Sequence, residues 1–301
     1  MDNFITSIIV TYNPDLSILK LQYESIKNQA NYIIYIDNFS ENINEIELFW
    51  KEILSFSKKV FVIRNTKNNG LGFAQNQGIK IAIENKSTHV LILDHDSILR
   101  PSFIKNLLSV ETELINDNIK VAALGPIYIN EKTNETYPIT KYYGPFIKRI
   151  IPDKDAVEAS FLISSGCLIR VEAINEIGLM NEDLFVDYID VEWSYRASSM
   201  GYKLFAVPKS RMSHTVGDKR MSILGRTISV HSPIRRYFLT RNSIHMLRMP
   251  YVSLGYKFRE IVFNILRIII FTLVSNERLK FLRYSLQGLY DGLRGVKGGY
   301  R

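Results

Sequence analysis

An α/β fold on a mostly parallel open sheet follows from three features of the first 125 residues. These are short β-branched runs, amphipathic stretches that alternate with them, and polar residues closing each run. The first run, Ile5-Thr6-Ser7-Ile8-Ile9-Val10, ends in Thr11-Tyr12-Asn13-Pro14. Leu16, Leu19, Tyr23 and Ile26 then recur at helical spacing, with Asn13 as the expected N-cap and Pro14 at the first helical position. Tyr32 to Ile36 gives a second strand closing on Asp37-Asn38-Phe39-Ser40, before a helix through Ile46, Phe49, Trp50 and Ile53. Val60 to Ile63 is the third strand, Gly70 to Glu84 a glycine-opened helix, and Val90 to Asp94 the fourth strand. Regular β-α-β alternation brings such strand ends to one edge of a doubly wound sheet, where ligands bind.

Beyond this unit, Val121 to Gly125 reads as a strand and Tyr128 to Ala156 as a hairpin or long loop. Phe161 to Arg170 and Lys203 to Val207 read as later strands, Val171 to Ile177 and Val191 to Met200 as short helices. From Pro233 the chain turns to long amphipathic helices rich in Arg, Leu and Ile, which divides it into a sheet domain, 1–232, and a basic helical region, 233–301.

With 301 residues, 46% of them hydrophobic, the chain can bury a large core. One cysteine, Cys167, allows no internal disulfide, and Met1 leads into Ile5–Ile9 without a basic stretch or cleavage site, so a reducing cytosol is expected. The net charge of +8 is uneven: residues 233–301 hold 13 Lys and Arg against 3 Asp and Glu, a formal +10 that leaves −2 for the rest.

Thr88 to Ser97 carries the chemistry. In extended chain Asp94 and Asp96 lie about 7 Å apart on one side, so they can share a divalent cation or flank one ligand. Alone, the pair fits an acidic turn equally well. The four strand ends together suit a nucleoside diphosphate: an aromatic ring stacks on a base, a carboxylate accepts from a pyrimidine N3–H, and glycines admit close backbone approach. Asn69-Gly70-Leu71-Gly72-Phe73-Ala74 is neither G-x-G-x-x-G nor a Walker A loop, which argues against a dinucleotide enzyme or an ATPase.

These segments resemble family 2 inverting glycosyltransferases of the GT-A fold. The resemblance extends through Ser165 to Arg170, Phe185 to Trp193 and Arg236 to Asn242, the last stretches being most similar to bacterial rhamnosyltransferases. It implies a Rossmann-like sheet flanked by helices, with Thr11, Tyr12, Asn13, Asp37, Asn69, Gly72 and Asn76 shaping the nucleoside pocket. Asp94 would lie by the ribose, and Asp96 and His214 would hold Mn²⁺ or Mg²⁺. Inverting transfer needs a carboxylate to take the acceptor hydroxyl's proton; the resemblance places Asp190 there, with Asp187, Glu192 and Trp193 on the acceptor side. Relatives commonly carry Glu where this chain has Ile189. Arg236 and Arg241 would neutralise the departing diphosphate.

The expected reaction is transfer of L-rhamnose from dTDP-L-rhamnose to a lipid-linked glycan of the bacterial surface, with UDP-galactose or UDP-glucose as the alternative donor type. A haloacid-dehalogenase-type phosphatase would want the Asp-x-Asp pair on an early strand, whereas Asp94 lies on the fourth. A non-catalytic scaffold is disfavoured by the intact Asp190. No nucleic acid is expected as a partner. The longest charge-free run of the tail, Ile268 to Asn276, is below the roughly 18 residues that cross a bilayer, so the basic helices would lie on an anionic membrane surface or pair with a second copy. The expected location is the inner face of the cell membrane.

Overall fold

The computed structural model describes residues 3–129, 135–213, 219–223, 226–230, 232–275 and 277–300. The alternation runs β1 (Ile5–Thr11), α1 (Leu16–Ile26), β2 (Tyr32–Asp37), α2 (Ile43–Phe56), β3 (Val60–Arg64), α3 (Leu71–Glu84) and β4 (His89–Asp94). It continues with α4 (Phe103–Asn116), β5 (Val121–Ile129), the hairpin β6 (Ile139–Tyr143) and β7 (Phe146–Ile150), β8 (Val157–Ala159), β9 (Cys167–Arg170) and α5 (Val171–Ile177). A 3₁₀ turn, Glu182–Leu184, leads to α6 (Ile189–Ser199), β10 (Lys203–Ser213) and the hairpin β11 (Lys219–Ile223) and β12 (Arg226–Val230). Three helices follow: α7 (Pro233–Arg248), α8 (Leu254–Val274) and α9 (Arg278–Arg294).

Eight strands form one sheet in the order β3-β2-β1-β4-β9-β5-β10-β8. β1 pairs in parallel with both β2 and β4, so the strand order reverses at β1 and a crevice opens at the carboxyl ends of β1 and β4. β9 runs antiparallel between β4 and β5, and β8 antiparallel on β10. Alternate residues of each strand feed opposite cores. Ile8, Ile34 and Ile92 pack with Ile79, Ile174 and Trp193 of α3, α5 and α6, whereas Ile9, Tyr35 and Leu93 pack with Leu19, Phe49 and Phe103 of α1, α2 and α4.

Two local expectations are corrected. The cap of α1 is Asp15, whose carboxylate accepts from the amides of Ser17 and Ile18; Asn13 instead takes a left-handed conformation and ties the β1 loop to the β2 loop. The strand expected from Phe161 is confined to Cys167–Arg170, because the Ser164-Ser165-Gly166 turn interrupts it with a positive φ at Gly166. β6 and β7 supply the hairpin within the stretch 128–156, and β8 follows directly after it as a strand not expected from the sequence.

Candidate active site

Tyr12, Asp94 and Asp96 meet at the crevice, in a cleft of about 400 Å³ that is also lined by Val10, Asn38, Asn68, Gly70, Leu71, His95, Phe185 and Val186. Its floor is the switch between β1 and β4. β4 ends at Asp94 and the chain turns through His95 and Asp96, so the acidic pair straddles a turn rather than one extended strand. Burial, then the neighbouring Asp96 carboxylate, pushes the Asp94 pKa up to about 6, while His95 and Arg235 pull it down. Two neighbouring carboxylates at a cleft are hard oxygen donors suited to a divalent cation, whose charge would relieve the repulsion felt by Asp94. Among the described residues no three His, Cys, Asp or Glu side chains cluster as metal ligands, so a cation would complete its shell with ligand oxygens and water. His214 lies outside the described residues.

The nucleoside end is a mesh of short polar side chains. Asp37 is buried; its carboxylate accepts from Thr11 Oγ1 at 3.0 Å, from the Ser40 amide at 2.9 Å and from the Ser40 hydroxyl. One acceptor position on Oδ2 is left without a partner among these bonds, but Asp37 is 1% exposed and is not among the residues lining the cleft. Asn38 donates to Asn68 Oδ1 at 2.9 Å and accepts from Asn65 and from the Asn69 amide, while Asn68 Oδ1 also accepts from the Gly70 amide. Asn38 and Asn68 therefore line the cleft where the sequence had pointed to Asn69, whose side chain turns back to the Lys67 carbonyl. Gly70, with φ +93, lies against Phe185, leaving no room for a side chain.

Gly72 and Asn76 do not line the cleft. A Cβ on Gly72 would sit 3.1 Å from the Asn181 carbonyl oxygen, and Asn76 exchanges hydrogen bonds with the Met180 backbone and donates to Glu182. Both fasten α3 to the segment that precedes α6.

That segment carries the second carboxylate cluster. Phe185, Asp187 and Tyr188 all have positive φ, between 60° and 66°, and the Val186 amide closes a γ-turn onto the Leu184 carbonyl. Each such non-glycine residue costs about 1–3 kcal/mol and persists only where its surroundings hold it. The turn starts α6 at Ile189, two residues earlier than expected, and places Asp190 in the first helical turn. Burial raises the Asp190 pKa to about 6, opposed by the Val191 and Ser164 amides and assisted by Asp187. Ser165, next to Ser164, accepts from the Asp94 amide at 3.0 Å, so adjacent serines touch both acidic clusters. Tyr128, whose hydroxyl donates to the Ser165 carbonyl at 2.5 Å, feels the charges of both Asp94 and Asp190.

Four sequence expectations change here. Glu192 is 1% exposed and both its oxygens are taken by Arg196, with Tyr251 donating to one of them; Trp193 is buried and donates to the Gly178 carbonyl. Neither faces an acceptor. Arg241 is fully buried and donates to the Leu184 and Gly298 carbonyls and to Asn242 Oδ1. Arg236 is 3% exposed beneath Phe271, and burial, then Arg267, lowers its pKa to about 10. The guanidinium beside the cleft belongs to Arg235, which grips both oxygens of Asp187 at 2.9–3.3 Å and acts electrostatically on Asp94.

The glycosyl transferase family 2 model matches residues 6–178. Over 304 aligned residues the chain is 32% identical to the dTDP-rhamnosyl transferase RfbF of Shigella flexneri, covering 100% of this chain and 99% of the relative. Among solved structures, GalNAc-T7 with UDP, GalNAc and Mn²⁺ superimposes with a TM-score of 0.60 at 20% identity, covering 91% of this chain and 58% of that one. Staphylococcus aureus TarS 1-349 in complex with UDP-GlcNAc gives 0.59 at 16%, covering 97% and 81%. These likenesses place the sheet and its flanking helices among GT-A folds. A cleft at the β1/β4 switch, an acidic pair at its mouth and a match spanning the nucleotide-binding half have one family in common: the chain belongs to glycosyl transferase family 2.

Proposed function

We propose that this chain transfers L-rhamnose from dTDP-L-rhamnose to an acceptor hydroxyl with inversion. The observation that carries the donor is the full-length 32% identity to a dTDP-rhamnosyl transferase. Tyr12, which lines the cleft, would hold the thymidine together with Asp37 beside it on the β2 end, and Asp94 would lie by the ribose; the acceptor would enter on the side of Asp190. A divalent cation held by Asp94 and Asp96 would supply charge to the leaving diphosphate. Arg235 stands where it can add to that charge, and replaces Arg236 and Arg241 in this role. Asp190, ionised at neutral pH, accepts the acceptor's proton as the hydroxyl attacks.

The acceptor in this reading is a glycan carried on lipid, and the protein sits at the inner face of the membrane. No described helix is long and apolar enough to cross a bilayer. α8, however, exposes Leu254, Phe258, Ile261, Ile265, Ile269 and Leu273 along one stripe. Arg248, Arg278, Lys280, Arg283, Arg294 and Lys297 are exposed across this region, against the acid Glu277. Apolar area among cations suits an anionic lipid surface; a second copy would bring the same charges together. The surface charge is smaller than the formal +10, because Arg236 and Arg241 are buried and the Arg259 side chain is 10% exposed.

Thermal shift with nucleotide sugars and Mn²⁺ tests the donor: a ligand at 100 times its Kd adds about 2.7 kcal/mol of stability. The largest shift is expected with dTDP-rhamnose. A larger one with UDP-galactose or UDP-glucose would move the assignment to that donor.

A further inference from the structure

The turn that delivers Asp190 is held from outside by one buried amide. Asn242, fully buried on α7, donates through Nδ2 to the carbonyls of Leu184 at 2.8 Å, Val186 at 2.6 Å and Asp187 at 3.1 Å. Its Oδ1 accepts from Arg241 Nε at 3.0 Å. A guanidinium only donates, so this contact fixes which end of the amide faces the turn. Two amide hydrogens then serve three carbonyls that point inward because Phe185, Asp187 and Tyr188 have positive φ. Arg241 adds a bond to the Leu184 carbonyl at 3.0 Å, and Arg235 holds the Asp187 side chain from the same helix.

We propose that Asn242 is a positioning residue for glycosyl transfer, its side-chain amide holding the 184–187 turn in the left-handed path that sets Asp190 against the acceptor. This rests on the reading of Asp190 as the base. The donor side of the same segment has separate supports: the Phe185 ring stacks on Phe238 at 5.1 Å, and the Phe185 carbonyl accepts from the Leu71 amide at 2.6 Å. Loss of the amide should therefore act on transfer more than on donor binding. The residues before the turn are fixed independently by Asn76, which pins Met180 and Glu182.

The test is a double-mutant cycle on the full chain, with kcat per folded site, donor KM and dTDP affinity measured for Asn242→Ala, Asp190→Asn and the pair. Asn242→Ala is expected to lower kcat by roughly 10- to 100-fold with donor KM within about threefold, and to cost less than about threefold more in the Asp190→Asn background. A side chain that merely stabilises the fold would lower the melting temperature and leave kcat per folded site alone. Asn242→Asp, equal in shape, turns an acceptor toward three carbonyls and should be at least as impaired. An unchanged kcat in Asn242→Ala, or the same fold-loss with and without the base, overturns the proposal while leaving Asp190 in place. Near wild-type transfer by Asp190→Asn overturns the base reading instead, a result visible without either Asn242 variant. Failure of both Asn242 variants to fold would make the amide a folding element, and the proposal would fall.

Discussion

Asp190→Asn should lose transfer and gain stability in the same protein. Asp190 has a folded-state pKa of about 6 against an ordinary 3.8, about two units raised chiefly by burial. At about 1.36 kcal/mol per unit, holding the charged form costs roughly 3 kcal/mol above pH 6. The sign follows from proton binding: between pH 4 and 6 the folded chain holds more protons than the unfolded one, so this group favours folding fully below about pH 4 and loses that contribution as pH rises through 6. Asparagine removes the charge and keeps one oxygen for the Val191 and Ser164 amides. The variant should melt roughly 5 °C higher at pH 8 and about equally with wild type at pH 4. Transfer should fall by roughly 10²- to 10⁴-fold, with donor affinity nearly unchanged.

In the wild type, kcat should rise about tenfold per unit of pH below 6 and level off above it, as the base loses its proton. Scanning calorimetry at both pH values, donor titration and a rate assay check the three parts. Asp187→Asn and Glu192→Gln belong beside it. If Asp190→Asn transfers at near wild-type rate while one of those is inactive, the base is that neighbour. If activity is lost without a stability gain at pH 8, Asp190 is not desolvated as its surroundings indicate.

Asp96→Ala is expected to abolish the dependence of donor binding on Mn²⁺ or Mg²⁺, whereas Asp37→Ala, which releases Ser40 and Thr11, weakens nucleoside binding with or without metal; calorimetry with dTDP reads both, and persisting metal dependence without Asp96 removes the cation site. Glu192→Gln should destabilise the fold by on the order of 3 kcal/mol, because it breaks a buried pair with Arg196, while kcat per folded site holds. Flotation with anionic vesicles should weaken with salt and on replacing Phe258, Ile265 and Leu273 by Gln; equal partition of both proteins would remove the membrane surface. Point substitutions suit this test better than a cut near Leu254, which would also remove Glu260, the acceptor for the Tyr188 hydroxyl.

The part of the site legible in the sequence is the part made by local pattern. An apolar run followed by Thr11-Tyr12, Asp37-Asn38 or Asp94-His95-Asp96 marks where a strand leaves the sheet, and the sheet itself gathers those ends. What was not legible depends on rotation and tertiary partners. Arg235, Arg236 and Arg241 are equally basic in the sequence, but neighbours on a helix point about 100° apart; α7 therefore aims one at Asp187 and buries the other two, a choice made by what α7 packs against. Asn76, which the resemblance gives to the nucleoside pocket, is likewise turned away from it by partners that lie more than 100 residues away. The family match covers residues 6–178, and the turn and its holder lie beyond it. The sheet edge that lines the cleft comes mostly from the first half of the chain, and Phe185 and Val186 close it from the second. In the proposed transfer site Asp190 follows a turn with three residues of positive φ, and backbone so costly must be held by groups from elsewhere. In this chain those groups come from α7, so the helix that reads as the start of a basic tail is a structural wall of the proposed transfer site.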